Sequence, residues 1–169
     1  MRFTAEHRFP ASPAAVAAIL GDPGFYETLE LPDLTLLDAS GSDEPPSGDR
    51  RISLRYEFTG SLDPMARRLL GGARLTWKQE VVIRGEGDDS SGALSFAAEA
   101  SPRILHGSAE FALTPLQGTV VGCVRHLAGD LVVAVPGLGG RAERRIVPGV
   151  LRRLDVEAEA VRSRLGPPC

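Results

Sequence analysis

A chain of 169 residues, 43% of them apolar and 24% charged, has the length of one domain and enough apolar side chains for a single core. Its net charge of -3 excludes an overall basic field of the kind that attracts nucleic acid. The opening MRFTAEHRFPAS lacks the apolar core of a secretory leader, no run approaches the roughly 18 apolar residues needed to cross a bilayer, and Cys123 and Cys169 are too few for a disulfide framework; a cytoplasmic protein without stable membrane insertion is expected.

Residues 2–9 alternate, Phe3, Ala5, His7 and Phe9 against Arg2, Thr4, Glu6 and Arg8, as a half-buried strand requires. Ser12 then stands as a cap before Pro13, and Val16, Ile19 and Leu20 make a short helical stripe that stops at Gly21. Asp22-Pro23 opens a second short helix through Phe25 and Tyr26. Leu34–Leu37 reads as a strand, and DASGSDEPPSGD at 38–49 as an acidic loop. Ile52, Leu54, Tyr56 and Phe58 form the inward side of the next strand. LDPMARRLLGG at 62–72 reads as a short connecting helix, and a lid or a peripheral membrane contact is the functional alternative for it.

Leu75, Trp77, Gln79, Val81 and Ile83 face inward on a further strand, and GEGDDSSG at 85–92 makes a turn. Two strands follow at 93–99 and 107–114. A last strand region, Thr119 to Val135, exceeds the usual strand length, so a bulge or bend at Gly129 is expected. Val147, Val150, Leu151, Leu154, Ala158, Val161 and Leu165 then recur at helical spacing. Pro148 should kink this longest helix or restart it. No repeat or second domain is visible: residues 1–166 form one domain and 167–169 a short tail.

At the junction, VPGLGGRAERRI spaces Gly137, Gly139 and Ala142 as G-x-G-x-x-A, the pattern that cradles a dinucleotide on a strand-to-helix turn. Such a site needs a second parallel strand bearing an acid about twenty residues on. Only a helical pattern follows, in which Asp155, Glu157 and Glu159 read as a solvated face. The glycines therefore read as a hinge between sheet and helix, and no cofactor is expected.

The stretches RFTAEHRFPASPAAVAAILGDPGF at 2–25 and GDLVVAVPGLGGRAERRI at 129–146, with this order of elements, resemble the START-like (SRPBCC) superfamily, within it a bacterial branch of unknown function. The resemblance implies an α+β helix-grip fold: a curved antiparallel sheet of six to seven strands wrapped around a long C-terminal helix, with two short helices after strand 1. It also implies a cavity between sheet and helix for an apolar or amphipathic small molecule, lipids included. The residues that would line it are His7, Tyr56, Trp77, Gln79, Phe96 and Phe111 from the strands, with Val150 and Leu154 from the helix. Aromatic rings offer stacking area, while His7, Tyr56 and Gln79 can orient a polar end. The plainer account is a filled core in which those polar groups satisfy one another.

Catalysis has thinner support. His7, His106 and His126 show no metal-ligand spacing, so no metal is expected, and Cys123 reads as a small apolar residue. If the chain is an enzyme, His7 and Tyr56 are the proton-transfer candidates. The reading favours a non-enzymatic carrier or sensor; the alternatives are an enzyme resembling polyketide cyclases and aromatases, and a protein-interaction module. Arg141, Arg144, Arg145, Arg152 and Arg153 interleave with Glu143, Asp155, Glu157 and Glu159, so pairing along the helix surface is expected.

Overall fold

The alternation over 2–9 becomes β1 (Arg2–Phe9), followed by α1 (Pro13–Leu20) and α2 (Pro23–Glu27). Ser12 accepts a hydrogen bond from the Ala15 amide at 3.3 Å and Asp22 one from the Gly24 amide at 3.0 Å, so both caps form as their sequences demand. The computed structural model describes residues 1–44, 48–61, 74–85, 87–118 and 121–166. The helix expected over 62–72 and the tail at 167–169 lie outside them.

Six more strands follow: β2 (Leu34–Glu44), β3 (Asp49–Phe58), β4 (Thr76–Arg84), β5 (Ser91–Ala98), β6 (Leu105–Pro115) and β7 (Cys123–Val133). They form one antiparallel sheet in the order β1-β7-β6-β5-β4-β3-β2, in which each hairpin neighbour is also a spatial neighbour except at β1, which returns to pair with β7. The expected loop over 38–49 is corrected here, because β2 continues through Asp38 to Glu44. Its ladder to β3 carries it past the polar residues, with Leu37 as the extra residue of a bulge that lets Asp38 pair with Arg55.

The last strand is shorter than Thr119–Val135, and its ladders to β1 and β6 run unbroken through Gly129. The bulge expected there is absent. The glycine serves close approach instead: a Cβ would lie 2.5 Å from the Ser108 carbonyl oxygen and 2.8 Å from the Phe3 ring.

After β7, Gly137 turns the chain at φ 73°, a conformation that side chains beyond Cα disfavour, and α3 (Gly139–Leu165) begins at once. Its first turn is tied to the sheet by Glu143, whose carboxylate accepts from the Val133 amide at 3.0 Å. The helix continues across the exposed Pro148 as a single element, so of the kink or restart expected there the restart does not occur. No strand follows β7 among the described residues, which removes the second half of a dinucleotide fold.

Buried Ile52, Leu54, Val81, Phe111, Leu113 and Leu131 from the sheet meet Val16, Leu20, Phe25 and Tyr26 from α1 and α2. Val147, Leu154, Ala158 and Val161 close the core from α3. The result is the helix-grip α+β fold, its long helix lying against the concave face of the sheet.

Candidate functional site

Strand pairing fixes which side chains share the concave face, because directly paired residues of an antiparallel ladder point the same way. Leu54, Gln79, Phe96, Gly107 and Leu131 form one row across five strands, with Tyr56 and Trp77 paired in the next. His7, Arg125 and Leu113 form another row towards the opposite end of the sheet. The expected lining residues therefore divide. Tyr56, Trp77, Gln79 and Phe96 are brought together, His7 and Phe111 lie apart from them on the β1, β7 and β6 side, and Val150 and Leu154 come from α3.

Around His7 the face is charged. Arg125 and Glu157 form an ion pair at 2.6 Å with side-chain exposures of 1% and 3%. The second Nη of Arg125 lies 3.1 Å from His7 Nδ1. A guanidinium can only donate, so Nδ1 is the acceptor and Nε2 carries the proton, which it donates to Asp155 Oδ1 at 3.0 Å. Burial, and after it the charge of Arg125, lower the His7 pKa against the opposing pull of Asp155 and Glu157. Both ring nitrogens are committed. Nearby, the Tyr26 hydroxyl donates to the Leu20 carbonyl at 2.9 Å, and burial followed by the charge of Glu157 drives its pKa well up.

Around Tyr56 the polar partner is Arg153. It donates to Gln79 Oε1 and, at 3.2 Å, to the Tyr56 hydroxyl, and its guanidinium carbon lies 4.6 Å from the centre of the Tyr56 ring. Trp77 stacks on Tyr56, 5.7 Å centroid to centroid at an interplanar angle of 26°. Tyr56 and Gln79 are buried, whereas Trp77 and Phe96 are half-buried. Burial raises the Tyr56 pKa, partly offset by Arg153, so the phenol keeps its proton.

Four of these residues, Arg125, Arg153, Asp155 and Glu157, are not legible as site residues. Arg153, Asp155 and Glu157 were assigned to pairing along a solvated helix surface; instead Glu157 is buried against Arg125 and Arg153 turns to the sheet. The spacing held a clue, since Glu157 falls between Leu154 and Val161 on the apolar stripe. Arg125 likewise follows the inward parity of Cys123, Leu127 and Leu131. Asp155 and Glu159 are exposed, and Glu159 does pair along the helix, with Arg162 at 2.7 Å.

Cys123 is buried, and loss of solvent raises its thiol pKa to about 11. Among the described residues no group of three or more His, Cys, Asp or Glu is placed to hold a metal ion, and no helix is long and apolar enough to cross a membrane. On the outer face of β1, β7 and β6 an open groove is lined by Thr4, Glu6, Glu110, Ala112, His126 and Ala128.

A family model described as "Protein of unknown function (DUF2505)" matches residues 4–165. No curated protein matches the chain. Among solved structures, the Zhui aromatase/cyclase from a Streptomyces species has a TM-score of 0.61 at 15% identity, over 97% of this chain and 92% of that one. Protein Ms6760 from Mycobacterium smegmatis gives 0.54 at 20% identity, over 97% and 90%, and Ara h 8.0201 gives 0.56 at 12% identity, over 98% and 97%. At such identities the likeness is one of fold.

Proposed function

The chain belongs to the DUF2505 family, whose description assigns no activity, and from that premise we propose that it is a carrier or sensor for an apolar or amphipathic small molecule held between the concave sheet and α3. The observation that carries this reading is the patch in which half-buried Trp77 and Phe96 adjoin the polar group of Tyr56, Gln79 and Arg153. Rings that keep solvent exposure beside a few fixed polar groups are the usual makeup of a small-molecule site. Removing the ligand's apolar body from water would supply most of the affinity, roughly 25 cal/mol per Å² of buried apolar surface before the costs of association. The polar group would set its orientation.

An enzyme using the same face is the second reading, favoured by the name of the Zhui aromatase/cyclase. His7 fits that role poorly, because Arg125 and Asp155 occupy both of its nitrogens. Tyr56 is the better proton donor, since its phenol stays protonated.

Native mass spectrometry of the purified protein, followed by solvent extraction, tests the proposal. A mass excess that extraction removes as an apolar compound, or stoichiometric uptake of an apolar fluorophore, is the expected result. A ligand-free protein that takes up no such fluorophore would overturn it. Turnover of a captured compound, lost in Tyr56→Phe while binding persists, would shift the assignment to the enzyme.

A further inference from the structure

We infer that the ligand's polar end is an oxyanion, a carboxylate attached to an apolar body, and that Arg153 receives it; this rests on the carrier reading above and specifies its ligand. Arginine stays charged in any protein interior, so its partners decide what the site can accept. The two arginines of the concave face differ in this respect. Arg125 has its carboxylate in Glu157. Arg153 donates to the neutral oxygens of Gln79 and Tyr56, and among the described residues no carboxylate is paired with it. Its sequence neighbours Asp155 and Glu157 are turned to His7 and Arg125. Its Nε, like that of Arg125, is out of solvent with no acceptor among the described residues, so the difference between the two lies in the terminal nitrogens.

The surrounding groups also offer donors. Tyr56 accepts from Arg153 and therefore has its own hydroxyl proton to give, and Gln79, with its oxygen facing the guanidinium, has its amide hydrogens directed elsewhere. A guanidinium, a phenol and an amide NH2 form a site short of negative charge, because Glu157, whose charge acts on Tyr56, is already paired with Arg125. A carboxylate meets it with up to four acceptor positions, and charge-assisted bonds of this kind are about twice as strong as neutral ones. Trp77, stacked on Tyr56, and Phe96, paired with Gln79, place aromatic surface beside that seat for the apolar body.

Trp77 is the only tryptophan of the chain, so energy transfer from it reports a bound probe, and the Arg153 variants locate it. We would titrate the protein with cis-parinaric acid and with its methyl ester, which keeps the polyene and removes the charge. The acid is expected to bind at least about tenfold more tightly than the ester. Arg153→Met should abolish the acid's preference, lowering the acid's affinity at least about tenfold and the ester's by less, whereas Arg153→Lys, which keeps the charge, should retain part of the preference. Equal affinities of acid and ester for the unaltered protein would overturn the oxyanion while leaving the carrier in place; failure of both to bind would overturn the carrier as well. Should Arg153→Met not fold, acid and ester on the unaltered protein still decide the oxyanion, and an unreduced preference in Arg153→Lys would remove Arg153 from it.

Discussion

Arg125 on β7 donates to Glu157 on α3 at 2.6 Å in the interior of the protein. The pair fastens the last helix to the sheet where neither side chain meets water. Removing one member leaves the other charge buried without compensation, which costs about 3–5 kcal/mol, while replacing both by apolar groups of similar volume is close to neutral. Glu157→Leu should therefore lower the free energy of unfolding in urea by that amount, and Arg125→Met with Glu157→Leu should recover most of it. A loss below about 1 kcal/mol in the single variant, the range of exposed pairs, would mean that the pair is solvated.

His7 connects the same pair to pH. Its pKa lies below the ordinary 6.5, so between the two values the unfolded chain binds more protons than the folded one and stability rises with pH. The contribution of neutral His7 is thus complete above 6.5 and is lost as pH falls from there towards the folded value. Protonation would set an imidazolium against Arg125, with Asp155 and Glu157 only partly compensating. Unfolding free energies measured from about pH 7 to about pH 5 should fall more steeply for the unaltered protein than for His7→Gln. Parallel slopes would show that His7 titrates as it does in the unfolded chain.

Gly107 lies beneath Phe96. A Cβ there would stand 2.5 Å from the ring and 3.0 Å from the Asp130 carbonyl oxygen, distances that only displacement can relieve. Gly107→Ala should cost about 1–3 kcal/mol through overpacking and weaken fluorophore uptake as the ring shifts. In a Phe96→Leu background the stability cost should shrink, because the two positions share one space. Additive costs would indicate that the ring does not lie over the glycine.

Cys123 should be chemically silent. With its thiol pKa at about 11 and its side chain buried, almost none of it is thiolate near neutral pH. In a Cys169→Ser variant, where Cys123 is the sole thiol, a thiol-specific reagent should react only in denaturant. Stoichiometric labelling of the native protein would place the last strand nearer to solvent than its burial implies.

The strands were legible because most follow a strict alternation: Phe3, Ala5, His7 and Phe9, or Ile52, Leu54 and Tyr56, announce both the element and its inward face. β2 was legible only to Leu37, since beyond it Asp38, Ser40 and Ser42 carry no apolar signal and the strand is held by its ladder to β3. The helical pattern after the glycine motif at 137–142 was legible, and the long helix Gly139–Leu165 follows there. Of the candidate site, the aromatic and amide members could be found from parity; of their charged partners Arg125 and Glu157 keep inward positions, but residue type outweighs position for them. Arginine and glutamate are mostly exposed in proteins, so Arg153 and Glu157 read as surface residues until pairing across the core showed otherwise.

The central claim is that a small apolar molecule binds on the concave face, and chemical-shift mapping of the isotope-labelled protein with an apolar fluorophore tests it most directly. Perturbations are expected at Tyr56, Trp77, Gln79 and Phe96, and along α3 from Val150 to Leu154. Perturbations confined to the outer groove, at Thr4, Glu6, Glu110 and His126, or no perturbation at saturating fluorophore, would contradict it.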